Sequence, residues 1–359
     1  MSNLGHLLFA LVLALPLTAT ANALTFTLGD YYTSNGSVIN QFAPDGSIKG
    51  SVRPNGPTSI GTETRGIAFG PDGLLYVVRN NAFGYSGSGS AGVDVMDQTG
   101  HVIRSYRFPG WIGGLISAGD IAFAKDGQSF YVGASDGIYK FNPQGTTGTR
   151  ITSGAANDLA VMPNGDIVAV SDYSLTRYTS TGALISSVGE FLNDPLGLTA
   201  GRNILSPTIL LVDGRGIAYD PTTDTTYVSM LGYTGMFYEV LALDGFSSNV
   251  KGIVSYSWPA DLFVGGDDNL LVGSWTQSPA IFDAELNRLV KTMGGPAIFV
   301  TAMTTTIPEP DTALLTIIGL VALRSIRKSN AKSQGSTVKI ENLFKVRFFP
   351  YCSASAIAS

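Results

Sequence analysis

Between about residues 25 and 302 the chain is written in short stretches of alternating apolar and polar residues, each closed by Gly, Asp, Asn or Pro. One unit recurs: RGIAFGPDGLLYVV from Arg65, GDIAFAKDGQSFYVGASDGIYKF from Gly119, NDLAVMPNGDIVAVSDYSLTRY from Asn157, RGIAYDPTTDTTYVSM from Arg215 and ADLFVGGDDNLLVGSW from Ala260. Each starts with a short apolar strand, turns at Pro-Asp-Gly or a relative of it, and continues as a second strand, the pattern of an antiparallel hairpin. The glycine accepts the positive φ that the turn needs.

A second turn follows in four of the units, at Gln98-Thr99-Gly100, Pro143-Gln144-Gly145, Ser180-Thr181-Gly182 and Leu243-Asp244-Gly245. Four strands with two marked hairpins make a propeller blade. With Ile67, Ile121, Leu159, Ile217 and Leu262 as equivalent anchors, the steps are 54, 38, 58 and 45 residues, the long ones holding the Gly/Ser-rich loop 81–92 and the insertion 190–214. The N-terminal portion supplies only a second strand (25–32), a third (37–42) and a fourth (47–53), while 295–302 reads as a first strand without followers. Pairing them gives a sixth, composite blade (24–54 plus 295–304) that closes the ring and removes its open edges. The expected fold is therefore all-β: a six-bladed propeller of four-stranded antiparallel blades over 24–306, at about 47 residues per blade.

The two ends carry targeting patterns. Residues 7–17 are apolar and precede Ala21-Asn22-Ala23, a small-x-small cleavage site, so 1–23 reads as a signal peptide cut after Ala23. After a linker come Pro308-Glu309-Pro310, an apolar stretch over 312–323, and the cations Arg324, Arg327 and Lys328 with Lys332 beyond. The prolines hold the chain extended, and the basic cluster follows the pattern of a cytoplasmic flank. Twelve apolar residues span about 18 Å against a hydrocarbon core of about 30 Å, so crossing requires Arg324 to snorkel, Ile326 to join or the bilayer to thin. The tail 331–359 reads either as an amphipathic segment lying on the membrane or as unselected sequence beyond a lost stop signal.

Composition narrows the partners. The propeller segment 24–306 holds 15 Lys and Arg against 24 Asp and Glu, a formal charge of −9 that repels phosphate backbones and excludes nucleic acid. The single cysteine, Cys352, lies in the tail, so an exported propeller has no internal disulfide and depends on packing.

The repeated units resemble those of NHL and gluconolactonase-like six-bladed propellers. Pro308-Glu309-Pro310, the apolar helix and the basic cluster together resemble the PEP-CTERM sorting signal of exported Gram-negative proteins. That resemblance implies signal peptidase and an exosortase as processing partners, Pro308, Glu309 and Pro310 as recognition residues, and membrane contact through 312–326. It also implies an inner-membrane intermediate followed by release or attachment at the surface.

Candidate chemistry is sparse. The propeller segment has one histidine, His101, placed after a turn, and no G-x-S-x-G elbow, which leaves no pattern for a Ser-His-Asp triad. One His and no Cys cannot make a zinc set. Gly87 to Gly92 matches G-x-G-x-x-G without the strand and helix that give the motif meaning, and 220–224 and 267–269 read as turns. One constellation remains. In a propeller the residues just before each first strand gather at one channel mouth, here Arg65, Asp120, Asn157, Asp158, Arg215 and Asp261. Three carboxylates and two guanidiniums there could hold a hard cation such as Ca²⁺, a carboxylated sugar, or each other.

Gluconolactonase-like enzymes hold a divalent metal with an Asn at the earlier of these positions, an Asp in another blade and an N-terminal Glu. Here Asn157 matches and no Glu precedes Glu63. The expected role is thus non-catalytic binding of a polysaccharide or surface protein, with a metal-dependent hydrolase or lyase at the channel mouth as the alternative.

Overall fold

The computed structural model describes residues 24–303 apart from 55–61, 82–90, 110–117, 173, 189–213, 232–237, 248 and 296. The expected signal peptide (1–23), the expected sorting signal (307–330) and the tail (331–359) lie outside the described residues. Within them the chain forms six four-stranded antiparallel sheets and no helix. The sheets are blades of a propeller. The innermost strands are Phe299–Ala302 (blade 1), Thr62–Phe69 (blade 2), Ala118–Phe123 (blade 3), Asp158–Val161 (blade 4), Ile217–Asp220 (blade 5) and Pro259–Val264 (blade 6). Each touches its two neighbours around a complete circle.

Closure is composite, as the broken repeat at the ends requires. Phe299–Ala302 pairs antiparallel with Tyr31–Ser34, Ser34 opposite Phe299 and Tyr31 opposite Ala302. The second strand begins later than the alternation from Thr25 predicts, because Gly29 adopts φ +83° and Asp30 N–H donates to Thr27 O, turning the chain before Tyr31. Leu24 instead braces blade 2, its N–H donating to Gln98 O at 2.8 Å and its side chain buried, while Thr25 and Thr27 bond to Gln41 and Tyr32 of blade 1. The closing strand also starts later than residue 295, since Gly295 takes φ +82° and only Ala297 reaches the neighbouring blade, bridging to Ser274.

A side-chain cap recurs in the first turns of blades 2 to 4 and in the second turn of blade 2. An Asp or Asn accepts the N–H two residues on: Asp72 from Leu74, Asp126 from Gln128, Asn164 from Asp166, Asp97 from Thr99. A left-handed residue follows, Gly73, Gly127, Gly165 and Gly100 in turn. Blades 5 and 6 place Asp224 (φ +48°) and Asp268 (φ +60°) where the others have glycine.

The buried apolar side chains fall into six clusters, five seated between two neighbouring blades and one between blades 1 and 2 that also takes in Ala260 of blade 6. A blade alone exposes both sheet faces, so the ring has to close for either face to be buried. Tyrosines add polar clasps: Tyr131 OH donates to Ser180 O in the next blade, and Tyr227 OH to Ala284 O in the next, at 3.4 and 2.7 Å. A buried tyrosine needs such a partner for its hydroxyl.

Candidate channel-mouth site

All six innermost strands begin at the same end of the channel, so the residue before each anchor faces five counterparts. Around the ring these are Gly66, Asp120, Asp158, Gly216, Asp261 and, in the closing blade, Phe299. Glycine matters at two of them. A Cβ on Gly66 would stand 1.9 Å from Asp120 Oδ1, and one on Gly216 would stand 2.2 Å from Ala260 O. The missing side chains let the aspartates close on the axis.

Asp120, Asp158 and Asp261 meet there, each offering one carboxylate oxygen within 4.8 Å of the others. Backbone amides fix two of them. Asp158 Oδ1 accepts from Leu159 N–H at 2.5 Å and Oδ2 from Ile217 N–H of the next blade at 2.6 Å. Asp261 repeats this with Leu262 at 2.7 Å and Val300 of the next blade at 2.8 Å. Asp120 departs from the rule: its buried Oδ1 has no hydrogen-bond partner. The amide it would take from blade 4, Leu159 N–H, already serves Asp158.

Burial raises all three carboxyls well above the usual carboxylate range, and each is pushed further by a neighbour: Asp120 by Asp158, Asp158 by Asp261, Asp261 by Asp120. Two full charges about 5 Å apart at an effective dielectric of 20 repel by roughly 3 kcal/mol, so three bare carboxylates do not persist here. Protons or a bound cation must neutralise part of the charge.

Above this floor lies a cavity of about 70 Å³, lined by the six residues expected from the sequence together with Gly119, Ala260, Trp275, Ile298 and Phe299. The structure thus brings Arg65, Asp120, Asn157, Asp158, Arg215 and Asp261 to one place. It does not join them in a ring of salt bridges. Arg65 Nη2 pairs with Glu63 at 2.9 Å, and among the described residues no ion pair includes the three aspartates. The Arg65 guanidinium lies 5.9 Å from the Trp275 ring centre and 6.0 Å from that of Phe299, and its buried Nε has no partner. Asn157 Nδ2 donates to Asp172 Oδ1 at 2.6 Å and Gly214 O at 2.7 Å, spending its hydrogens on neighbouring loops. Arg215 is exposed at the rim.

Below the aspartates the channel continues. A second cavity of about 270 Å³ is lined by residues of the same strands, among them Ala68, Ala122, Ala160, Ala218, Phe263 and Thr301. Asp120 borders both cavities, so its carboxyl stands between the mouth and the shaft.

Phe299 and Trp275 escaped sequence reading for different reasons. Phe299 sits in the closing strand, which carries no hairpin turn to align it with the repeat. Trp275 follows Leu270–Ser274, the second strand of blade 6, and reaches the mouth from there. The remaining candidates behave as turn and surface residues. His101 is exposed, Asp220 accepts from Thr222 N–H, and Asp267 accepts from Asn269 N–H. Gly92 opens the third strand of blade 2, Gly92–Met96. Ala21, Ala23, Pro308, Glu309, Pro310, Arg324, Arg327 and Lys328 lie outside the described residues.

No protein-family model matches the chain, and no curated protein matches it by sequence. Among solved structures, Kuenenia stuttgartiensis hydrazine synthase superposes with a TM-score of 0.49 at 14% identity, over 73% of this chain and 75% of that one. A protein of unknown function from Bacteroides caccae gives a TM-score of 0.50 at 12% identity, over 76% of this chain and 98% of that one. At 12% identity the second likeness speaks to the fold alone.

Proposed function

We propose that this chain is an exported propeller that acts as a non-catalytic binding module at the cell surface or in the extracellular matrix. Its channel mouth takes an acidic group of a polysaccharide or surface protein. The observation that carries this reading is Arg65: a guanidinium beside two aromatic rings, with a buried N–H that has no partner, lining the cavity at the channel mouth. Buried donors are satisfied in functional states, and a carboxylate is the acceptor that matches an arginine. Arg215 at the rim adds charge of the same sign. The sorting pattern around Pro308-Glu309-Pro310 supplies the route: signal peptidase, an inner-membrane intermediate held through 312–326, then an exosortase.

Titration of the full chain with an oligoglucuronate tests the site. Arg65→Gln should weaken binding by about 10- to 100-fold, the value of a charge-assisted hydrogen bond, with the unfolding midpoint nearly unchanged. Equal binding by wild type and variant sinks the reading, and cleavage products in the titrated mixture favour the hydrolase or lyase. The intact mass of protein from host surface fractions tests the route. A chain from residue 24 to near 310 supports it, and a chain ending at Ser359 found only in membranes contradicts it.

A further inference from the structure

We infer that Asp120, Asp158 and Asp261 form a Ca²⁺ site at the waist of the channel, an ion that ties three blades together. This stands whether or not the mouth takes an acidic ligand. The donor set is three carboxylate oxygens with no nitrogen or sulfur, the chemistry of a hard divalent cation. Their separations, all within 4.8 Å, suit oxygens placed around one ion at the usual Ca–O distance of about 2.4 Å.

Two further observations point to an ion. Asp120 Oδ1 is buried without a donor, although its counterparts in blades 4 and 6 hold two amide N–H groups each. A buried acceptor left open beside carboxylate oxygens that each hold one amide is a position a cation can take. In addition, the cavity above the carboxylates offers a path from solvent and room for the waters that would complete a coordination sphere of six to eight oxygens.

The amides also preorganise the site. Asp158 and Asp261 each reach across to the anchor of the following blade, Ile217 or Val300, so an ion drawing on them engages blades 4, 5, 6 and 1 as well as Asp120 of blade 3. Binding there would stabilise the closed ring and not a single blade.

The test uses the full chain, stripped with EDTA and then titrated with CaCl₂ by calorimetry, with native mass spectrometry for stoichiometry. One Ca²⁺ per chain is expected. Asp120→Asn should lower the affinity at least tenfold and remove the Ca²⁺-dependent rise in the unfolding midpoint, while still unfolding cooperatively in EDTA. Asp268→Asn, on an exposed turn outside the ring, should bind like wild type. Absence of Ca²⁺ uptake at millimolar concentration overturns the inference, as does unchanged binding by Asp120→Asn.

Discussion

In blade 2 the buried Asp94 carboxylate sits in the fork of Arg79, with Nε at 2.8 Å and Nη2 at 3.2 Å, and takes a third hydrogen bond from Ser105 Oγ at 2.7 Å. At the channel axis three carboxylates meet with backbone amides for company and no cationic side chain paired to any of them among the described residues. Both arrangements place negative charge away from water, but only the first carries its own counter-charge. The difference separates a finished structural element from one completed by something from outside. Burying a charge is tolerable when it is paired, and a fold that leaves several unpaired in one spot holds protons or an ion there.

The largest expected effect breaks the finished element. Arg79→Met leaves Asp94 buried without its partner and should cost about 3–5 kcal/mol, read as a lower denaturant midpoint for the full chain. A loss under 1 kcal/mol would mean that water reaches Asp94 and that the two regions are less different than their geometry implies.

A smaller effect of opposite sign is expected at the axis. Asp120→Asn removes one of three repelling charges, and its amide can donate to the Asp158 carboxylate, a charge-assisted bond worth about 1.5–3 kcal/mol at best. In EDTA the variant should therefore be at least as stable as wild type and at most a few kcal/mol more stable. Marked destabilisation in EDTA would show that the wild-type carboxylate already has a partner.

Much of this architecture is legible in the sequence because the repeat is enforced locally. Each Asp-Gly, Asn-Gly or Asp-x-x-Gly turn writes its own signature, so blades 2 to 5 can be read from their turns. Blade 6 hides its outer turn, where Leu286 takes φ +59° while Asp283 Oδ1 accepts from Asn287 and Arg288 N–H. The composite blade is inferable from its missing strand, but its exact register is not, because Gly29 and Gly295 act through turns that alternation does not reveal. The same logic applies to the site. Asp120, Asp158 and Asp261 share one repeat position and can be grouped from sequence, whereas their hydrogen bonds depend on which blade follows which. The sequence cannot show that Leu159 N–H is already taken and that Asp120 Oδ1 is left without a donor.

The central contrast also has a sign in pH. A buried carboxyl raised above its unfolded value keeps a proton that the unfolded chain has released. Stability is therefore fully present below the unfolded value, near pH 4, and is lost as pH rises through the folded value. A cation replaces those protons and should flatten the loss, most effectively where protons compete least. The most direct measurement is the unfolding midpoint of the full chain at pH 5 and pH 8, each in EDTA and in saturating CaCl₂. The expected result is a lower midpoint at pH 8 than at pH 5 in EDTA, and a rise with Ca²⁺ that is larger at pH 8. A midpoint indifferent to Ca²⁺ at both pH values, or a larger Ca²⁺ effect at pH 5, would contradict it.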